Sequence, residues 1–438
     1  MQLTPEVMAE LGATLGTMLG EGALVVSARD YYPPSRMLKR AFSSGLMSTG
    51  ITVMDFHGAT LPELAFAIKR FGAKAGVYFT VSTLREDGVM IKLLDSTSAE
   101  FSHDRLGDLL RLYGTKHIVR TLPSRIGWVS YAEYIHDIYV ASLVSVLDIN
   151  AILGGNFKIV IDSNFGPVAD VLPNFLAEIG VESVVLNSHR PPLRRGVWHL
   201  PTPEAISTLA RMVKASGANF GVAFCSDAAR ILLIDERGRV LTPDQTAAIL
   251  MHYLPERSKV VVSETMSLVV EAVAKERGHR LVKVKGFTGD VSRQIRRVRA
   301  SFGATDRGEY IFPHFSLSPD GILALGKILE YMAISEERLS DLAGSLPDYE
   351  RFELEIDAST RPMSTILRAL AERMRPSLLT MLGVKVVDGA RWAYVEPDVE
   401  KRRLLVWVER PSNEKIRFAK DVARKVSAII EAIEAERV

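Results

Sequence analysis

The chain has 438 residues, 47% hydrophobic and 24% charged, with a net charge of +2. That length exceeds a single core and predicts three or four domains. The near-neutral charge argues against a nucleic-acid footprint, no apolar run reaches membrane-spanning length, and a lone cysteine, Cys225, excludes an intrachain disulfide or a cysteine-cage zinc site.

The opening Met1-Gln-Leu-Thr-Pro-Glu6 lacks the basic-then-apolar pattern of a signal peptide, so a cytoplasmic protein is expected. Leu24 to Ser27 reads as a strand ending at Arg29-Asp30. Ser35 is the expected cap of a helix carrying Met37, Leu38, Ala41 and Leu46. Ile51 to Met54 is the next strand, Leu61-Pro62-Glu63 opens a helix through Phe71, and Gly76 to Val81 is a third strand. Such repetition predicts a largely parallel sheet. The pattern restarts at Lys158 to Asp162, with strands at Val181 to Leu186 and Gly221 to Phe224 and a helix opening at Pro201-Thr-Pro-Glu204. It restarts again at Lys259 to Ser263, with a strand at Leu281 to Val284 and a helix from Gly321 to Met332. The last part differs: strand patterns at Phe352 to Ile356, Ala393 to Val395 and Leu404 to Val408 mix with helices, the final one Ile416 to Glu434. The expected fold is α/β, three similar α/β domains with mainly parallel mixed sheets plus a C-terminal α+β domain. The expected boundaries are 1–148, 149–250, 251–347 and 348–438. Glutamine is confined to Gln2, Gln245 and Gln294 amid abundant Lys, Arg and Glu, which leans toward a thermophilic source.

Several short motifs occur in a telling order. They are Leu3-Thr-Pro-Glu6, Ser27-Ala-Arg-Asp30, Leu61-Pro-Glu63, Thr80-Val-Ser82, Ile91-Lys92, Asp162-Ser-Asn-Phe-Gly166, Gly221 to Gln245, Lys283-Val-Lys-Gly286 and Ile311-Phe-Pro313. Together they resemble the α-D-phosphohexomutase family (phosphomannomutase, phosphoglucomutase, phosphoglucosamine mutase) over nearly the whole chain. Family members begin with a strand and a Gly-Thr-x-Gly-x-Arg-Gly loop before the Leu-Thr-Pro-Glu helix, whereas this sequence opens at that helix. The resemblance implies a phosphoryl transfer through a serine, with a divalent cation offsetting the dianionic phosphate and one site loop per domain.

Each of those loops is altered here. In the serine loop, Thr80-Val81-Ser82 matches and Lys92 follows at the family's spacing, but His-Asn-Pro has become Thr83-Leu84-Arg85. Ser82, Lys92 and Arg230 are therefore the implied catalytic residues; a strand-end serine bonding its own backbone is the plainer reading of Ser82. In the metal loop, three acidic positions hold Cys225, Asp227 and Ala229, so Asp227 is the one remaining metal carboxylate and Cys225 reads as a buried apolar residue. Arg230 either meets a phosphate or ion-pairs within its domain. In the sugar loop, Ala304 to Glu309 places Thr305 and Arg307 where the family has Glu and Ser; they are the implied sugar-binding positions, against a solvated loop. The phosphate loop reads Glu396-Pro-Asp-Val-Glu400, with acidic residues that repel a dianion and Val399 where glycine lets the backbone approach. Lys401, Arg402 and Arg403 follow it. Arg29 and Arg403 are the candidate phosphate-binding residues.

His57, His103, His136, His189 and His199 show no metal spacing. Arg293, Arg296, Arg297 and Arg299 form a basic helix face, readable as an anion or RNA site or as a solvated surface. The scaffold motifs persist while all site loops change, so the expected function is a catalytically degenerate, regulatory homologue binding a phosphosugar or an active mutase paralogue. The alternative is a working phosphomannomutase or phosphoglucomutase. No cofactor is expected, with Mg2+ the ion implied by activity. A homo-oligomer is a further expected partner; membrane and nucleic acid are not.

Overall fold

The structure is a computed structural model that describes residues 3–83, 88–132, 134–190, 199–357, 363–374, 378–379, 383–388, 391–398, 403–411 and 417–435. The first unit comprises α1 (Pro5–Leu19), β1 (Leu24–Arg29), α2 (Pro33–Met47), β2 (Thr52–Gly58), α3 (Leu61–Phe71), β3 (Ala75–Val81), β4 (Val89–Asp95), α4 (His103–Thr115) and β5 (Val129–Tyr131). Its sheet runs β4-β3-β1-β2-β5, parallel except for β4. The helix after β1 begins at Pro33, with Tyr32 at the cap and no capping side chain, which corrects the expected Ser35 cap. The fixed φ of Pro33 and Pro34 suits the first helical turn, so the helix starts three residues early and Ser35 lies inside it. Helix α3 follows its sequence signals: Thr60 and Glu63 close a capping box, and Gly72 ends the helix in the left-handed region. Helices α1 and α2 touch backbone to backbone. A methyl on Gly12 would fall 2.1 Å from the Phe42 carbonyl oxygen, and one on Gly45 2.0 Å from that of Ala9.

The second unit comprises α5 (Ile135–Val144), α6 (Ile149–Gly155), β6 (Lys158–Asp162), α7 (Val168–Glu178), β7 (Glu182–Leu186), α8 (Pro203–Ser216), β8 (Phe220–Phe224), β9 (Ile231–Asp235) and α9 (Pro243–Tyr253). The third comprises β10 (Lys259–Ser263), α10 (Leu268–Glu276), β11 (Arg280–Val284), α11 (Thr288–Val298), β12 (Phe302–Thr305), β13 (Glu309–Ile311), α12 (Gly321–Ser335) and α13 (Leu339–Gly344). Their sheets run β7-β6-β8-β9 and β11-β10-β12-β13. In each, parallel strands are closed by one antiparallel strand, β9 or β13, as β4 closes the first sheet. The fourth unit is different: β14 (Tyr349–Asp357), α14 (Met363–Arg373), β15 (Leu378–Leu379), β16 (Val384–Asp388), β17 (Arg391–Asp398), β18 (Arg403–Pro411) and α15 (Arg417–Ala435). Its sheet, β14-β18-β17-β16-β15, is antiparallel throughout. Three α/β units with mainly parallel mixed sheets and a C-terminal α+β unit are thus as expected.

One buried cluster runs from Tyr139 to Leu346 and serves the second and third units together. The first sheet is covered on one face by α1 and α2 and on the other by α3, where Cys225 and Ala229 from the second unit join the same cluster as Leu64 and Tyr78. The β8–β9 connection is thereby pressed into the first unit. Among the described residues no single helix is long and apolar enough to cross a membrane.

Candidate functional site

The β8–β9 connection, Cys225 to Arg230, folds as a closed loop. Its ends are tied by the Cys225 N–H to the Arg230 carbonyl, 3.2 Å, and Ala228 donates to the Cys225 carbonyl at 3.0 Å. Ala228 has a φ of 61°, a left-handed conformation strained for a residue with a Cβ. Neighbours enforce it: the Ala228 carbonyl accepts from Gly321 and the Asp227 carbonyl from Leu61, so all three α/β units hold this loop.

Asp227 is fully buried at its centre. Oδ1 accepts the Ala229 N–H at 3.0 Å and the Cys225 thiol at 2.9 Å. Oδ2 lies 2.9 Å from Lys92 Nζ, projected from β4, and 3.9 Å from His199 Nε2. Glu100 stands 3.5 Å from the same ammonium. Burial alone pushes the Asp227 carboxyl up, but Lys92, His199 and the Cys225 hydrogen bond outweigh it and hold the group well below the usual carboxylate range. Burial opposes the charge on Lys92, yet Asp227 and Glu100 keep it protonated well above its ordinary value. The pair is an internal salt: carboxylate and ammonium stabilise each other in a dry site. Lys92 Nζ, Asp227 Oδ2, Glu100 Oε1 and His199 Nε2 are nonetheless buried without a well-aligned hydrogen bond among the described residues.

A second buried pair adjoins it. Arg230 Nε and Nη2 donate to Glu309 Oε1 at 3.1 and 3.0 Å, and Thr288 and Thr305 hydroxyls donate to Oε2 at 2.7 and 2.9 Å. Burial raises the Glu309 carboxyl, but Arg230 and then Lys92 bring it down to about 2. Arg230 therefore forms an ion pair, but with the third unit rather than within its own. The Thr305 hydroxyl faces Glu309 in the interior. Arg307 is exposed and lines a cleft with Lys285, Asp306, Tyr394 and Glu396. Glu396, near the end of β17, also lines this cleft.

Ser82 follows β3 directly, its N–H donating to the Gly88 carbonyl at 2.9 Å. The strand end is fixed by Asp30, which accepts from the Val81 N–H at 2.7 Å and the Thr80 hydroxyl at 3.0 Å. Thr80 also meets Ser226 at 3.0 Å, joining the serine strand to the Asp227 loop. Ser82, Lys92, Asp227, Arg230 and Thr305 thus belong to one linked region. Arg29 is turned to the opposite face of the first sheet, one of its guanidinium N–H groups donating to the Asp30 carbonyl. Arg403 begins β18, where it is ion-paired to Glu355 of the neighbouring strand. Leu84, Arg85, Val399, Glu400, Lys401 and Arg402 lie outside the described residues. No local motif pointed to His199, Glu100 or Glu309; each comes from a segment far from Asp227 along the chain, and only the packing of three units joins them.

This donor set does not fit magnesium. A hard cation of that size wants several oxygens, and Asp227 supplies the one carboxylate in the loop, with an ammonium already against it. His199, Cys225 and Asp227 do place three donor atoms within 4.8 Å of one another. They are an imidazole, a thiol and a carboxylate, and burial pushes the thiol far above its ordinary range. Such donors suit softer ions.

The family models for phosphoglucomutase/phosphomannomutase α/β/α domains I, II and III match residues 1–115, 137–238 and 242–349. A phosphoglucomutase/phosphomannomutase of Thermococcus kodakarensis is 29% identical over 428 residues, covering 95% of this chain and 93% of the relative. A crystal structure of a phosphoglucomutase/phosphomannomutase family protein from Burkholderia thailandensis superposes with a TM-score of 0.82 at 18% identity, over 98% of this chain and 94% of that one. Parafusin, a phosphoglucomutase from Paramecium, gives 0.74 at 14% identity, over 97% and 91%.

Proposed function

The chain belongs to the phosphoglucomutase/phosphomannomutase family, and we propose that it is a member without mutase chemistry, a regulatory homologue that binds a phosphosugar in its cleft or pairs with an active mutase paralogue. One observation carries this reading: Lys92 Nζ lies 2.9 Å from Asp227 Oδ2, the last carboxylate of the metal loop. Phosphoryl transfer depends on positive charge placed against the moving phosphate. Here the loop's carboxylate is neutralised from inside the protein, and Lys92 and Arg230 are both bound to buried acids.

The test is direct. Purified protein is incubated with glucose 1-phosphate, mannose 1-phosphate or glucosamine 1-phosphate, magnesium and a sugar bisphosphate. No sustained conversion is expected, and the intact mass is that of the unmodified chain. Turnover together with phosphate on Ser82 would instead support the second reading, an active phosphomannomutase- or phosphoglucomutase-type enzyme. That reading draws on the survival of Ser82 at the end of β3, next to the strand that carries Lys92.

A further inference from the structure

A cavity of about 400 Å3 opens between α2, β2 and β5 of the first unit. It is separate from the Lys92–Asp227 cluster. Lys92 shares its face of the sheet with Leu94, which packs against α3. Arg29 shares its face with Val25, and its partner in register, Phe79, packs with α2.

Arg29, Arg36, Lys39 and Arg40 line this cavity against a single carboxylate, Asp55. Asp55 is already engaged, ion-paired to the buried ammonium of Lys39 and accepting the His57 N–H at 2.7 Å. Arg36 and Arg40 lie one helical turn apart on α2, both exposed, and among the described residues neither is ion-paired. Ser43 and Ser44 add hydroxyls one turn further on. Burial and then the nearby charge of Arg36 disfavour the guanidinium of Arg29, outweighing the favourable pull of Asp30 and Asp55. The cavity therefore carries an uncompensated excess of three positive charges from Arg29, Arg36 and Arg40. Guanidinium forks and hydroxyls around a concave space are the donors a phosphate dianion takes. At the mouth, the His57 ring stacks on Tyr131 with centroids 4.8 Å apart and planes 8° from parallel. Tyr131 is 65% exposed, a flat face beside the charged socket.

We propose that this cavity is a second phosphate-binding site, separate from the cleft, for a small phosphorylated metabolite whose ring rests on Tyr131. The experiment is calorimetric titration of the full chain with glucose 6-phosphate, inorganic phosphate and glucose, repeated on the double variant Arg36→Gln, Arg40→Gln and on Arg307→Gln. Both α2 arginines are exposed, so the double variant should keep the wild-type melting temperature. The expected result is binding of glucose 6-phosphate more tightly than phosphate, no binding of glucose, and at least a tenfold weakening in the double variant. Arg307→Gln should leave this site unchanged while weakening any binding in the cleft, so the two sites are read separately. Absence of glucose 6-phosphate binding, or binding unaffected by the double variant, would overturn the proposal. So would tighter, length-dependent binding of duplex DNA through the same two arginines, which would make this a polyanion surface.

Discussion

Arg230 and Glu309 are joined twice, by a buried ion pair with contacts of 3.0 and 3.1 Å and by an isolated backbone bridge between the same two residues. The link stitches the Asp227 loop to the β12–β13 hairpin. Removing one partner strands the other charge in the interior, a loss of about 3–5 kcal/mol. Glu309→Ala should therefore lower the unfolding midpoint sharply in a denaturant titration, and Glu309→Gln, which keeps the hydrogen-bonding shape, should lose less. Equal stability of Glu309→Ala and wild type would contradict this account.

Lys92 and Asp227 should behave as one unit. Lys92→Met leaves a buried carboxylate with no ammonium, and Asp227→Asn leaves a buried ammonium with Glu100 alone. Each single change should cost several kcal/mol, on the order of 3–5, while the double variant costs clearly less than the sum. A double-mutant cycle in denaturant measures the coupling; additive losses would show that the two charges do not depend on each other.

The stability of the fold should carry the signature of His199. Burial depresses its imidazole to about 4, opposed by Asp227 and reinforced by Lys92, whereas an unfolded histidine titrates near 6.5. Between those values the unfolded chain binds the extra proton, so stability from this group is intact above about pH 6.5 and falls as pH drops toward 4. The full loss is about 3 kcal/mol. His199→Gln should flatten that part of the pH–stability curve, seen as a smaller change in melting temperature between pH 7 and pH 4.5 than in wild type.

Cys225 offers a simple chemical readout because it is the only cysteine in the chain. Its thiol is buried, donates to Asp227, and is held protonated first by burial and then by that carboxylate. The reactive species is the thiolate. A disulfide reagent at pH 8 should leave the folded protein untouched and titrate one thiol only after denaturation. Rapid labelling of the native protein would refute the packing described for this loop.

Much of the frame was readable because strands such as Lys158 to Asp162 and Lys259 to Ser263 are short apolar runs that recur between capped helices. The same local rules misplaced the start of α2, where two prolines outweigh a good capping serine. The Asp227 loop was visible through its resemblance, and so was the loss of its fellow carboxylates. What replaced them was not. Lys92 lies on β4, Glu100 just beyond it, His199 before α8, and Glu309 on β13. Their convergence depends on how three sheets pack, and no spacing along the chain encodes that. The basic cavity at α2 is an intermediate case. The helical spacing of Arg36 and Arg40 is a local pattern, but the lack of countercharge appears only once Asp55 is seen to be engaged.

The way the fourth unit is fastened has a mechanical consequence. The second and third units share one hydrophobic interior and must move as one body. The last sheet has its own interior, from Ile366 to Ile430. Its links to the second and third units include Glu409 accepting from Ser267 and the Leu268 N–H, Arg351 against Asp244 at 3.3 Å, and Lys385 reaching the Glu264 carbonyl at 2.6 Å. Among the described residues, Tyr349 is the one of β14 that packs against the shared interior. These joints are directional contacts between buried groups, which salt screens only weakly, so Glu409→Ala rather than added salt should loosen the last unit while leaving the shared interior folded.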